Sequence, residues 1–361
     1  MTLTRGVALR FAVPGLILAA VLAFLSKATA EALSEGLAGL PKLPVSPVLC
    51  AVLIGMLWRN IMGVPPWAQT GLGIAMRGVL RMGIALVGLR LTLAGATTIA
   101  TTALPVVVIC IGVALVAGMA LARVFGISKR LGMLLAVGTA VCGCTAVIAI
   151  SPVIRARNVE TAFAVTCVVL FGCVAMLCYP LLAAICFDSS PLHAGVFLGT
   201  AIHDTSQVIG SALIYSQQMN VPEALAAASV TKLLRNLSIA LLIPAAVWWS
   251  RGLEQDTVQP TEPMPRAGVL PFFVVAFIAF IITRTVGDSL FLATSQWPAL
   301  IHAAQTFSEL CLICGMAAVG LSVSIPEMWN VGWRPLLTGM LIALLVGACS
   351  LGLTLAMLHL R

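Results

Sequence analysis

The sequence predicts an all-α polytopic membrane protein with about 9–11 transmembrane segments, inverted repeats and two interrupted or re-entrant helices. Hydrophobic residues make up 61% of the 361 positions and charged residues only 9%. Average soluble domains are roughly half apolar and a quarter charged. Apolar runs of about 20 residues, long enough to cross a bilayer, recur along the chain. We therefore expect residues 1–361 to form a single integral membrane domain.

Apolar segments follow one another from the N-terminus to the C-terminus, and each is a candidate span. They lie at residues 10–26, 45–62, 72–92, 103–125, 131–154, 160–187, 192–216, 222–250, 267–287, 302–325 and 335–358. The first also resembles a secretory signal peptide, but we retain it as a span because the other spans need it as a packing partner. Residues 251–266 are polar and contain three prolines, which predicts a loop between spans.

Two of these segments, 131–154 and 192–216, contain the same helix-poor phrase. The frame Gly-Thr-Ala-(Val/Ile) begins at Gly138 and again at Gly199, and a five-residue gap separates each copy from Val-Ile. Paired interruptions in hydrophobic segments are the best sequence pointer to the substrate site of a transporter. We predict that the tips of the two interrupted segments meet near the middle of the bilayer.

A second internal similarity indicates a duplicated fold. The stretch beginning at Gly83 and the stretch beginning at Gly315 share five of seven residues. Treating segments 131–154 and 192–216 as re-entrant hairpins moves Arg155 and Arg157 to the cytoplasmic side, which fits the positive-inside rule better than eleven full spans. Both repeats are then inverted. A pair of broken helices that cross the membrane stays open as an alternative.

The first tip is a candidate binding element because its backbone is interrupted at membrane depth. Broken backbone survives there only where protein buries it or where it lines a cavity, and N–H groups at the start of a half-helix favour an anion. The candidate residues are Thr139, Cys142, Gly143, Cys144 and Thr145. The alternatives are a glycine-rich packing seam between helices and a redox or soft-metal site at the two cysteines.

The second tip places several polar side chains in an otherwise apolar run. Its candidate residues are Thr200, His203, Asp204, Thr205, Ser206 and Gln207. Ionisable groups at this depth are costly and are functional by default. Histidine titrates near neutral pH when unperturbed, so His203 and Asp204 are candidates for proton or ion coupling. The alternative is a self-satisfied pair that only holds helices together.

The eighth segment carries the third candidate element. Ser229, Lys232 and Asn236 share one helix face, and Arg235 lies beside it. Two cations beside two polar tips favour a small dianion, and Asp204 is the expected partner of one of them. The alternative is that both cations reach toward the membrane surface.

Three of these phrases resemble signature stretches of a known family. Cys142–Ala149, Ile202–Val208 and Thr231–Asn236 are similar to the YeiH-type sulfate exporter family of bacterial inner-membrane proteins. The similarity covers nearly the whole chain, although members often carry Ala or Ser where this chain has Cys144 or Thr145. The resemblance implies inverted repeats, a movable core beside a scaffold, and a place in the bacterial inner membrane.

The leading functional hypothesis is a secondary transporter for a small anion, with sulfate or a sulfonate-related ion preferred. The second is a cation/proton antiporter that uses Asp204 and His203. The third is a membrane receptor or assembly subunit without transport. We expect no enzyme activity and no cofactor, since the sequence contains no phosphate-binding loop and no dinucleotide motif. The expected partners are the anion, a proton or sodium ion, and the lipid bilayer. A homodimer with a second copy of the chain stays open. The net charge of +8 arises from basic residues between spans and does not indicate nucleic acid.

Overall fold

The computed structural model describes residues 5–35, 46–187, 190–239, 241–242, 245–246, 272–291, 296–324, 326 and 332–359. Within these residues every regular element is a helix, which confirms the predicted all-α class. The predicted polar loop at 251–266 lies outside the described residues.

The helices correspond closely to the apolar segments of the sequence. They are α1 (Arg5–Glu35), α2 (Pro47–Ile61), α3 (Pro66–Ile74), α4 (Leu80–Val87), α5 (Leu93–Val124), α6 (Lys129–Ala140), α7 (Cys144–Ile150), α8 (Asn158–Cys186), α9 (Pro191–Ala201), α10 (Thr205–Met219), α11 (Glu223–Leu237), α12 (Phe272–Phe291), α13 (Gln296–Ser322) and α14 (Trp333–His359). A π-helical turn at Ala75–Val79 joins α3 to α4, so that Pro66–Arg90 forms one apolar stretch. Seven stretches of the described chain are long and apolar enough to cross a membrane. The two segments with the repeated phrase are both interrupted, as predicted.

The helices group into two compact units. Unit 1 comprises Met1–Ala96, Ile209–Ala226 and Phe272–Pro326, and unit 2 comprises Thr97–Val208, Ala227–Pro271 and Glu327–Arg361. The expectation of a single membrane domain for residues 1–361 stays a prediction.

Unit 1 is held together by helices that approach closely at glycines. Gly15 of α1 lies against the backbone of α3 at Gly71, and Gly55 of α2 lies against α13 at Gly320. A Cβ at any of these four positions would overlap the facing backbone. Small residues that allow such an approach are typical of helix packing in membranes.

The second repeated sequence forms a reciprocal contact between α4 and α13 in unit 1. Gly83 packs against Leu312, and Gly315 packs against Leu80. Each leucine stands three positions before the glycine of its own helix. The earlier residue of α4, Leu80, contacts the later residue of α13, Gly315, and Gly83 contacts Leu312. The two helices therefore run antiparallel. Such mutual exchange of equivalent contacts is the signature of a two-fold relation. It supports the predicted inverted repeat.

Unit 2 surrounds the first interrupted segment with an apolar core. Buried side chains of α5, α6, α8 and α14 form one cluster that includes Leu134, Val168 and Val346. The start of α8 is tied to the start of α6 through Glu160, whose carboxylate accepts hydrogen bonds from the backbone N–H of Arg157 at 2.9 Å and from the hydroxyl of Ser128 at 2.5 Å. Ser128 in turn caps α6. These bonds fix the start of α6, whose other end leads into the first tip.

Candidate functional site

The first tip is a tight turn between α6 and α7. Gly143 has a φ of 68° and a ψ of −129°, a conformation that is almost restricted to glycine. Its N–H donates to the carbonyl of Gly138 at 3.0 Å. The side chain of Val147 on α7 packs against Gly138 on α6, which shows that the chain folds back at this point. The contact favours the hairpin over a crossing helix for segment 131–154.

The second tip is an extended break between α9 and α10. Ile202 has extended backbone angles, and the following Asp204 caps α10. Oδ1 of Asp204 accepts hydrogen bonds from the backbone N–H of Ser206 at 2.9 Å and from its hydroxyl at 2.6 Å. A carboxylate at this position satisfies the unpaired donors of the first helical turn and interacts favourably with the helix dipole.

The two tips lie in contact within unit 2. A Cβ built on Gly143 would lie 2.8 Å from Oδ2 of Asp204 and 3.1 Å from its Cα. The absence of a side chain at Gly143 therefore lets the two breaks approach. This arrangement confirms that the polar tips predicted from the repeated phrase come together.

Lys232 reaches both tips and is fully buried. Its ammonium donates to the carbonyls of Val141 at 2.7 Å and Ile202 at 3.3 Å, and to the carbonyl of His203. A lysine ammonium has three N–H groups, so these three bonds engage all of them. Lys232 faces the tips rather than lipid, as the sequence analysis predicts.

Arg235 bonds to the ends of the same two half-helices and is also fully buried. It donates to the carbonyls of Ala140 at 2.6 Å, Thr200 at 2.6 Å and Ile202 at 2.9 Å, and to that of Thr139. The last carbonyls of a helix have no partner in the helix itself and carry its negative dipole end. The two cations of α11 therefore complete the C-terminal ends of α6 and α9.

This bonding pattern corrects the expected partner of the two cations. Asp204 is the expected protein partner, but the hydrogen bonds of Lys232 and Arg235 run to backbone carbonyls. Carbonyl groups can accept from a cation wherever a helix ends, without a carboxylate nearby. The carboxylate of Asp204 is instead engaged with Ser206.

The remaining candidates fall into a buried group and a partly accessible group. Thr139, Cys142, Gly143, Thr200, His203, Gln207, Ser229 and Asn236 are buried, whereas Cys144, Thr145, Asp204, Thr205 and Ser206 are partly or fully accessible. Asn236 donates to the hydroxyl of Thr205 at 3.3 Å. Among the described residues, both ring nitrogens of His203 and Oδ1 of Asn236 lack a hydrogen-bond partner.

The expected net charge of the site follows from its parts. Lys232 and Arg235 contribute two positive charges, and the C-terminal ends of α6 and α9 contribute about −0.5 each. Asp204 contributes one negative charge, which the N-terminal end of α10 offsets by about +0.5. The N-terminal end of α7 at the first tip adds about +0.5. The balance is therefore roughly one unit of positive charge, in a region where charge is poorly solvated.

Across the described ranges, no group of three or more His, Cys, Asp and Glu side chains has a geometry that could hold a metal ion.

The chain matches a family model described as conserved hypothetical protein 698 over residues 14–339. The chain belongs to this family. A UPF0324 membrane protein of Ralstonia nicotianae is 30% identical over 82% of this chain and 81% of the relative. Other UPF0324 membrane proteins are similar, at 29% identity over 80% of this chain and 76% of the relative in Chlorobaculum tepidum, and at 28% over 94% and 91% in Nitratidesulfovibrio vulgaris. The predicted membership of the YeiH-type family is confirmed. The chain is a multi-pass membrane protein.

Sequence reasoning missed a second set of contacts in this member of the family. The Gln207 amide donates to the carbonyl of Val169 at 3.1 Å and lies so close to Gly172 that a Cβ there would overlap it. It also accepts from the N–H of Asp204 at 3.2 Å, so it links α8 to the second tip. The Thr200 hydroxyl lies 2.5 Å from that of Ser350 on α14. Gly172 and Ser350 are small residues in long apolar helices that contain several others, so nothing in the sequence singles out these two.

Proposed function

We propose that the protein is a secondary transporter that moves a small anion across the bacterial inner membrane by alternating access. The single observation that carries this proposal is the pair of fully buried cations, Lys232 and Arg235, at the junction of two interrupted helices. Interrupted helices at membrane depth are the usual place of a transporter's substrate site. Sulfate is the first candidate substrate, as the family resemblance suggests.

The anion would bind on the accessible side of the tips. Cys144, Thr145 and Ser206 present side chains there, while the donors of Lys232 are already engaged with carbonyls. The two cations would therefore act on the anion through their field, and the hydroxyl and backbone N–H groups of the tips would supply direct hydrogen bonds.

Asp204 gives the site a means of coupling. Its carboxylate lies on the accessible side, beside Gly143, and it repels an anion when it is ionised. A proton on Asp204, or on the neighbouring His203, would remove or offset this repulsion. Anion binding and proton binding would then favour each other.

Uptake of labelled sulfate into proteoliposomes tests the proposal. Thr145→Val removes an exposed hydroxyl at the first tip, and loss of a hydrogen bond to a charged group costs about 1.5–3 kcal/mol. We expect uptake at low sulfate to fall roughly tenfold or more. The matched control is Thr166→Val on α8, whose hydroxyl is exposed and bonded only within its own helix at 2.9 Å. No uptake of any anion in a panel by the parent protein would refute anion transport.

A cation/proton antiporter is the second candidate, and one observation favours it. Asp204 is partly accessible and makes no ion pair among the described residues. A carboxylate that binds a cation must be accessible and unpaired before the cation arrives. Collapse of a pH gradient on adding sodium, abolished by Asp204→Asn, would support this function over anion transport. If neither flux is observed and a stable partner co-purifies, the receptor or assembly role is the remaining hypothesis.

A further inference from the structure

Lys232 ends in a cradle of three backbone carbonyls supplied by both tips. Val141 belongs to the first break, and Ile202 and His203 belong to the second. These residues stand just beyond the last helical residues of α6 and α9, so their carbonyls are free to converge on one point. The side chain that occupies this point is fully buried.

Such a cradle has the chemistry of a site for a monovalent cation. Unwound carbonyls and the C-terminal ends of half-helices coordinate Na⁺ in transporters with discontinuous helices, and carbonyl oxygens can replace the hydration shell of K⁺. Here the three oxygens lie at two negative helix ends. Arg235 also donates to the carbonyl of Ile202. Without the positive charge of Lys232, the carbonyls of Val141 and His203 would lose this buried donor, which is costly.

We propose that the Lys232 ammonium is a tethered cation that fills this carbonyl site permanently. The protein then assembles its two tips without Na⁺ or K⁺, and removal of the amine opens the site to a free monovalent cation. The inference rests on the proposed function in one respect only, which is that substrate transport should also proceed without Na⁺ or K⁺.

Arg235 provides a contrast within the same helix. Its planar guanidinium distributes its bonds over four carbonyls, those of Thr139, Ala140, Thr200 and Ile202. These oxygens surround a flat fork rather than a single point. A small spherical cation should therefore replace the amine of Lys232 but should not replace Arg235.

Thermal unfolding of the purified protein tests the inference in the absence of any substrate. The wild type should unfold at the same temperature in Na⁺, K⁺, methylammonium or the bulky cation N-methylglucamine. Lys232→Ala should unfold about 5 °C lower or more, and methylammonium, Na⁺ or K⁺ should restore the temperature with a saturable dependence, as expected for a ligand of the folded state. Arg235→Ala should not respond to these cations. The matched control is Lys129→Ala, which removes an exposed lysine at the start of α6 and should change neither property.

Two results would overturn the inference. One is saturable stabilisation of the wild type by Na⁺ or K⁺, and the other is a folded Lys232→Ala variant that ignores every small cation. If the variant aggregates in N-methylglucamine, it should be recovered as monodisperse protein when extracted in methylammonium. Failure in both cations, with normal recovery of Lys129→Ala, also counts against the cradle.

The same variants separate this inference from the transport proposal. Cation rescue of Lys232→Ala without sulfate uptake by the parent would leave the tethered cation standing and remove anion transport. Sulfate uptake by the parent that stops when Na⁺ and K⁺ are withdrawn would support transport and overturn the tethered cation.

Discussion

At the scale of the residue, the contact between the two tips depends on the missing side chain of Gly143. The residue combines a positive φ of 68° with a position against Asp204. An alanine there would be strained by its backbone conformation and would also meet the facing Cα at 3.1 Å. The two effects act together because neither the break nor the capping carboxylate can move without disturbing a helix.

Gly143→Ala should lower the free energy of unfolding by about 1–3 kcal/mol from backbone strain alone, and it should weaken anion binding because the tips move apart. Unfolding in mixed micelles and anion-induced thermal shifts measure the two effects. Gly112→Ala is the control, since Gly112 lies in α5 with no heavy atom within 4 Å of the added Cβ. That helical substitution should be neutral or stabilise by up to about 1 kcal/mol. Equal behaviour of the two variants would show that the tips do not depend on Gly143.

Asp204→Asn separates the two transport hypotheses at a single atom. Asn caps a helix about as well as Asp, so the fold of α10 should persist while one negative charge is lost. Unit charges at about 6 Å interact by roughly 3 kcal/mol at an effective dielectric constant of 20. We therefore expect sulfate to bind at least about tenfold more tightly, with a weaker dependence on pH, as measured by thermal shift or calorimetry. Weaker sulfate binding by this variant would contradict the anion site described above.

At the scale of the element, the second tip is held from three sides. Gln207 joins it to α8, Thr200 joins α9 to α14, and the cations of α11 bond to the carbonyls at both breaks. Each joint uses a polar group inside an apolar bundle, where an unpaired group is costly. The helices around the tips should therefore respond together when one joint is removed.

A double-mutant cycle measures the joint between α8 and the second tip. Gly172→Ala places a methyl group where the Gln207 amide lies, so it should be destabilising in the parent. In a Gln207→Ala background the space is free, and the same substitution should cost little. We expect a coupling energy of about 1–3 kcal/mol. Additive effects on the free energy of unfolding would mean that Gln207 does not connect these elements.

At the scale of the whole molecule, the evidence for duplication lies in a reciprocal contact inside unit 1. Gly83 packs against Leu312, three positions before Gly315, and Gly315 packs against Leu80, three positions before Gly83. Antiparallel α4 and α13 then carry equivalent sequence in opposite directions, as in inverted repeats. The ends of the two copies should emerge on opposite faces of the membrane.

Cysteine labelling in intact cells tests this topology. Thr92 follows the end of the first copy and Ser324 follows the end of the second, and both lie outside the helices. A membrane-impermeant maleimide should modify only one of Thr92→Cys and Ser324→Cys, and the other should react only after permeabilisation. The eleven native cysteines set the background in the parent. Labelling of both variants from the same side would exclude the inverted repeat.

Much of the fold and part of the site can be predicted from the sequence because the patterns that predict them are local. Apolar runs mark the helices, and the repeated phrase marks both breaks to within a few residues. The cost of burying an unpaired charge predicts that Lys232 and Arg235 face the tips, and both do. These features depend on composition and helical period, which a single sequence displays.

The sequence by itself determined the membrane class, the positions of the two breaks and the polar character of the tips. Only the tertiary structure decided that the two buried cations bond to backbone carbonyls from both tips rather than to Asp204. Every residue carries a carbonyl group, so no side-chain pattern distinguishes the few that a helix end leaves without a partner. Which cation reaches them depends on how helices distant in sequence pack, and this is set by the fold as a whole.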